Sequence, residues 1–205
     1  MQLQEAVALL LIVIASLSFH EAAHAWTADR LGDPTARMLG RITLNPIAHI
    51  DWIGTVLFPI VALMSGAPLL GWAKPVPVNF HNLKAPRRDF AIIAAAGPIS
   101  NLVLALAGAV ILTAIYDPSL TSLHLLFGLL ARWVVTNVFL AIFNLIPVPP
   151  LDGGNVLAGF VPEPVARAID QLRPYGFIIL YGLLWTGFLS SLMDPIAERI
   201  LKVLL

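Results

Sequence analysis

The chain contains no cysteine in its 205 residues. Disulfide bridges, thiolate metal sites and a cysteine nucleophile are therefore excluded, and the redox compartment is left open. Charge is also scarce. Only 12% of residues are charged, and twelve basic side chains balance twelve acidic ones. A soluble domain carries about 25% charged residues. With 59% hydrophobic residues, a surface this poor in charge needs lipid around it. Zero net charge gives no footing for nucleic acid. The N-terminus has neither a basic region nor a cleavage signature and carries Glu5 instead, so it reads as a retained span rather than a signal peptide.

Four apolar stretches are long enough for a bilayer, which takes about 20 residues: roughly Glu5 to Trp26, Phe90 to Ile115, His124 to Ile146 and Tyr175 to Met193. A fifth, Trp52 to Met64, is interrupted by Pro59 and too short to span; it reads as a re-entrant or interfacial segment. The expected fold is all-α and polytopic, a single membrane-embedded domain over 1–205. Its main unit would be about 5–154, followed by an additional span and a short helix within 175–205. Seven of the twelve Lys and Arg residues (Arg30, Arg37, Arg41, Lys74, Lys84, Arg87, Arg88) fall between the first two spans. The positive-inside rule then puts 28–89 in the cytoplasm and the N-terminus outside. Residues 194–205 would lie on the outer side, and Arg132, inside the third span, must snorkel or pair. The run Lys74-Pro75-Val76-Pro77-Val78 reads either as a strand that can pair along one edge, through the amides of Val76 and Val78, or as a proline-rich loop.

The chemistry concentrates in Phe19-His20-Glu21-Ala22-Ala23-His24. Residues four apart share a helix face, so two imidazoles can hold one metal. Glu21, one position round, reaches a water held by that metal instead of ligating. Ionisable groups in an apolar helix are expensive and need partners; the bland alternative is a set of polar residues lining a transport path. A catalytic zinc takes three protein ligands and one open position. The third ligand would be Asp152, which follows Pro147, Pro149 and Pro150 and precedes two glycines. Alone it would be an Asp-Gly turn at the membrane surface. For Asp152 to meet the histidines, the chain must cross the bilayer an even number of times between them, so the metal site and the re-entrant reading stand or fall together. Asn101 and Asn144 either bond between helices, worth about 0.6 kcal/mol on average, or stabilise an oxyanion at the metal. His49 is a further possible ligand but reads better as packed near the site, and the five tryptophans read mostly as interfacial anchors.

The motifs His20-Glu21-Ala22-Ala23-His24, Gly97-Pro98-Ile99-Ser100-Asn101 and Asn144-Leu145-Ile146-Pro147 leading to Leu151-Asp152-Gly153 resemble the three signatures of the site-2 protease family of intramembrane metalloproteases. Leu44-Asn45-Pro46 through Asp51 and Gly71-Trp72 through Asn79 resemble its compact members, which lack a PDZ or CBS domain. The resemblance runs from about Leu17 to Gly154. It implies a multi-pass protein of the cell membrane. Its one zinc would be held by His20, His24 and Asp152, with Glu21 as the base and Asn144 and Asn101 lining the site. A small membrane-associated β element near Val76 and Val78 would hold an unwound, membrane-spanning substrate. Readings from other classes are a metal or ion transporter, which would show flux and no proteolysis, and an inactive adaptor of the same fold. The residues do not indicate an oligomeric state.

Overall fold

The computed structural model describes residues 3–58, 61, 64, 72–117 and 119–205. Among the described residues, three helices are long and apolar enough to cross a membrane: α1 (Leu3–Arg30), α3 (Pro86–Ile115) and α4 (His124–Asn144). A lipid interior offers the backbone no hydrogen bonds, so helices that pair their own amides are the solution available to such sequences. The 21 residues of α4 reach about 32 Å at 1.5 Å per residue, matching a bilayer core. Outward positions carry Leu10, Leu11, Val103, Leu106, Val110 and Leu125, all exposed. Such a surface suits lipid and is prone to aggregate in water. Between the long helices lie α2 (Thr35–Met38), α5 (Asp152–Phe160) and α6 (Glu163–Leu172).

Helix α3 is central and packs against α1, α4 and α5. Small residues permit the close approach to α4: Ala105 and Ala109 are buried, and a methyl group on Gly108 would press into the Trp133 ring, 2.7 Å from Cδ1. The Trp133 indole N–H donates to the Leu104 carbonyl at 3.0 Å. Trp133 therefore sits inside the bundle, whereas Trp26, Trp52 and Trp185 remain exposed as anchors would. Trp72 lies between Phe58 and Phe177, its ring tilted against both. Arg132 pairs with Glu5 of α1 at 2.9 Å, which answers the question its position in the third span raised.

The expected fourth span, Tyr175 to Met193, is not one helix. It is α7 (Gly176–Trp185) and α8 (Phe188–Leu204), and the axis bends by 75° at this break. Gly187 is the cause. It adopts φ 73°, left-handed backbone that costs glycine little, and its amide closes on the Leu184 carbonyl at 3.2 Å. Residues 194–205 accordingly continue α8 rather than form a helix of their own. Leu180 of α7 and Leu189, Met193 and Ala197 of α8 join the core built by α3 and α4.

The segment expected to re-enter begins as a wide, π-type turn at Trp52–Leu57, capped by the Asp51 carboxylate. Residues 59, 60, 62, 63 and 65–71 lie outside the described residues. The two ends are joined: Trp72 N–H donates to the Gly54 carbonyl (3.3 Å) and Lys74 N–H to the His49 carbonyl (2.8 Å). The expected β element takes a looser form: residues 72–79 form no strand ladder among the described residues. Proline at 75 and 77 removes two of the donors a ladder needs.

Asp33 ties this loop to the end of α1. It is fully buried, and its carboxylate accepts from Thr35 N–H (3.1 Å), Thr35 Oγ1–H (2.5 Å), Asn79 N–H (2.7 Å) and Asn82 Nδ2–H (2.8 Å). Burial opposes its ionisation, but the four donors outweigh burial and hold the carboxyl below the ordinary aspartate range. A depressed folded value makes the contribution complete above the unfolded value of about 3.9, and it is lost as pH falls through the folded one. Amide protection of residues 79–83 should therefore stay flat from neutrality to about pH 4 and fall only below it. Asp33→Ala should lose at least about tenfold of that protection at neutral pH, since bonds to a charged acceptor contribute about 1.5–3 kcal/mol. Hydrogen exchange read by mass spectrometry checks both.

Candidate metal centre

In the second half of α1 the apolar pattern gives way to Ser16, Ser18, His20, Glu21 and His24, all buried. The helical repeat stacks His20 on His24, with ring centroids 4.6 Å apart and planes nearly perpendicular. They face α3 at Gly97. A methyl group there would collide with Nε2 of both imidazoles, so this glycine makes the room the pair occupies. Asp152 arrives from the other side. Helix α4 stops at Asn144 because Pro147, Pro149 and Pro150 cannot continue it. Leu151 is extended (ψ 157°), and α5 begins at Asp152. Side chains at Gly153 and Gly154 would strike the backbone of Leu145 and Ile146 and of Pro149, so the tight return that aims Asp152 needs both glycines.

The geometry brings the three expected ligands together. Asp152 Oδ2 lies 3.0 Å from His20 Nε2 and 3.4 Å from His24 Nε2, and one ligand atom from each residue falls within 4.8 Å of the others. The opposite ring nitrogens are also held. His24 Nδ1 lies 2.7 Å from the Ile93 carbonyl, which can only accept, so Nδ1 carries a proton and, in the neutral ring a metal requires, Nε2 carries the lone pair. His20 Nδ1 lies 2.7 Å from Asn101 Oδ1, which requires the same of His20. Two lone pairs and a carboxylate then converge in a buried place. Three such acceptors facing one another call for a shared cation. Two imidazole nitrogens and one carboxylate oxygen, braced from behind, form a donor set that fits zinc with a position left open.

Glu21, 8% exposed, is one residue round from His20 and has no hydrogen-bond partner among the described residues. Arg41, 5% exposed, reaches toward the same region: its charge acts on Glu21, and its guanidinium donates to the Lys74 and Pro75 carbonyls. Val76 and Val78 are half-buried, and their main-chain amides have no partner among the described residues. Asn101 is at the centre, directly behind His20. Asn144 is not in the same contact network: its amide donates to Leu140 O, one turn back in α4, at 3.0 Å. His49 is buried with Nε2 on the Thr43 carbonyl (2.9 Å) and lies outside the ligand group. His81 and His124 are exposed.

Sequence reasoning missed Asn137, Arg41 and the Ile93 carbonyl. Asn137 carried a signal, being a polar amide inside an apolar span, two helical turns before Asn144 in α4. Arg41 was read only as part of a basic loop, and a backbone carbonyl leaves no mark in sequence.

The long helices and the two-histidine, one-carboxylate centre define a multi-pass membrane protein built around a metal site. Comparison with known proteins specifies it further. The sequence model of Peptidase family M50 matches residues 8–118 and 117–183, and the chain belongs to that family. YwhC of Bacillus subtilis (strain 168) is 38% identical over 194 residues, covering 91% of this chain and 84% of YwhC. Rip2 of Mycolicibacterium smegmatis is 32% identical over 190 residues, covering 90% of this chain and 70% of Rip2. Rip2 of Mycobacterium tuberculosis (strain H37Rv) is 29% identical over 171 residues, covering 83% of this chain and 63% of that Rip2. All three are named as candidate zinc metalloproteases. No solved structure matches. This chain is a zinc metalloprotease of Peptidase family M50.

Gly97→Ala tests the centre at its tightest contact. Its methyl group would collide with two buried imidazoles, so zinc affinity should fall at least about tenfold, the scale of losses around metal ligands. Helical circular dichroism should stay that of the wild type. Zinc competition against a chelator measures the first and a spectrum the second.

Proposed function

We propose that this chain cleaves peptide bonds of membrane-spanning proteins within the bilayer, as a single domain over 1–205 with its catalytic core in 5–154. His20, His24 and Asp152 would hold the zinc and Glu21 would be the general base. The observation that carries the reading is the convergence of two α1 imidazoles with a carboxylate from beyond α4, beside an unpaired buried glutamate. A zinc ion bound there supplies Lewis-acid chemistry, polarising a scissile carbonyl and making water acidic near neutral pH. Glu21 takes the proton from the attacking water and passes it to the leaving amine. With no competing hydrogen bond, its carboxylate is available for both transfers.

A substrate helix hides its carbonyls in its own hydrogen bonds, so it must unwind before it can be cut. The segment 72–79 is suited to receive it. Val76 and Val78 offer free amides, Pro75 and Pro77 keep the backbone extended, and Arg41 anchors the segment through two carbonyls. Asn144 has a second amide hydrogen beyond the one on Leu140 and is the proposed oxyanion donor. Asn101, whose amide is taken up behind His20, would act as a brace. The basic residues around α2 and the start of α3 favour an N-terminus outside, a centre open to the cytoplasm and residence in the cell membrane.

Glu21→Gln should retain zinc and reduce cleavage of a membrane-spanning substrate by about 10²–10⁴-fold, the range for a general base. Full cleavage by that protein would remove Glu21 from the role. Arg41→Gln should raise KM several-fold and also lower kcat while zinc stays bound, because it loosens the receiving segment and removes the positive charge acting on Glu21 but leaves the metal ligands in place; steady-state kinetics in detergent with a zinc assay checks all three.

A further inference from the structure

We propose that Asn137 is a positioning residue that holds the His20 proton on Nδ1, acting through Asn101, and so keeps Nε2 free for the metal. The proposal rests on the metal-centre reading above. Asn101 and Asn137 are both 0% exposed, and no described contact gives either amide an alternative partner. An asparagine amide can face its surroundings either way round, with oxygen and nitrogen exchanged. Here the neighbours leave one arrangement. The Trp133 carbonyl only accepts, so the Asn137 group 2.9 Å from it must be the NH₂. Asn137 Oδ1 then faces Asn101 at 2.9 Å and requires a donor, which sets the Asn101 NH₂ on that side. The same nitrogen lies 3.5 Å from the Ser16 carbonyl, again only an acceptor. Asn101 Oδ1 is left facing His20 Nδ1 at 2.7 Å, and an oxygen there needs the imidazole to donate. Donor and acceptor alternate from a backbone carbonyl of α4 to a ring nitrogen of α1, and in the neutral ring this leaves the lone pair on His20 Nε2.

Turning the Asn101 amide over would set its oxygen against the Asn137 oxygen and the Ser16 carbonyl, three acceptors together in a place closed to water. Asn137 makes that reversal costly. Without its oxygen, only the long contact to Ser16 opposes the flip. A flipped Asn101 would donate to His20 Nδ1 and move the ring proton to Nε2, where it competes with the metal.

The test uses the full chain as purified, labelled with ¹⁵N-histidine. The His20 signal should report a protonated Nδ1; a proton resident on Nε2 overturns the proposal. Asn137→Leu, similar in volume and without an acceptor, should lower zinc affinity about 10–100-fold in chelator competition, the cost of losing a partner behind a ligand. It should also give a mixed His20 tautomer. Asn137→Asp keeps an oxygen acceptor in either protonation state and should bind zinc close to wild type. Wild-type zinc binding and tautomer in Asn137→Leu would refute the proposal. So would equal loss in both variants, which would mean packing alone. If Asn137→Leu fails to fold, the wild-type tautomer and the Asn137→Asp affinity still decide it. A wild-type chain that binds no zinc would defeat the metal centre, and the His20 tautomer would still be read separately.

Discussion

Three electron pairs aimed at one point inside a lipid-covered bundle are the constraint on which this structure depends. Imidazole nitrogens and a carboxylate repel when none carries a proton between them, and the low dielectric of such an interior enlarges that repulsion. The surrounding fold nevertheless enforces the arrangement. Gly97 provides the space, the Ile93 carbonyl and the Asn101 amide hold the rings from behind, and a proline run turns the chain so that Asp152 faces them. A cation turns the repulsion into coordination. The order of the polypeptide follows from that need: α1 carries the histidines, α3 and α4 make two crossings, and Asp152 returns at the level from which the chain departed.

The functional elements outside the centre are arranged around it without sharing its ligands. Arg41 stands between Glu21 and residues 72–79, and Asp33 closes the loop that carries those residues onto the end of α1. Arg87 at the start of α3 reaches the Ala158 and Val161 carbonyls at the end of α5. The helix that carries Asp152 is thereby fastened at its far end to the helix that carries Gly97. Rigid seating of this kind limits the drift of a ligand that sits at the mouth of a turn.

Much of this was legible in the residues. The spacing of His20 and His24 reports a helix face directly, and three long apolar runs report crossings whatever their packing. Asp152 stood out because prolines cannot continue a helix and glycines allow tight turning, so their cluster marks an irregular turn. The break at Gly187 was not legible. Apolar residues lie on both sides, and a left-handed glycine within an apolar run looks like any other glycine of a membrane helix. The extended segment was half legible: the prolines showed where no ladder could form, but not that Arg41 would hold its carbonyls. Asn101 and Asn137 could be seen as polar groups in spans, yet their partners come from three different helices, and that information is tertiary.

X-ray absorption at the zinc edge of the purified full chain tests the central claim most directly. The account predicts one zinc per chain, two imidazole nitrogens at about 2.0–2.1 Å, a carboxylate oxygen at about 2.0–2.2 Å and one further light atom. A sample that cleaves its substrate with no bound metal would contradict it, as would a zinc shell with no imidazole scattering.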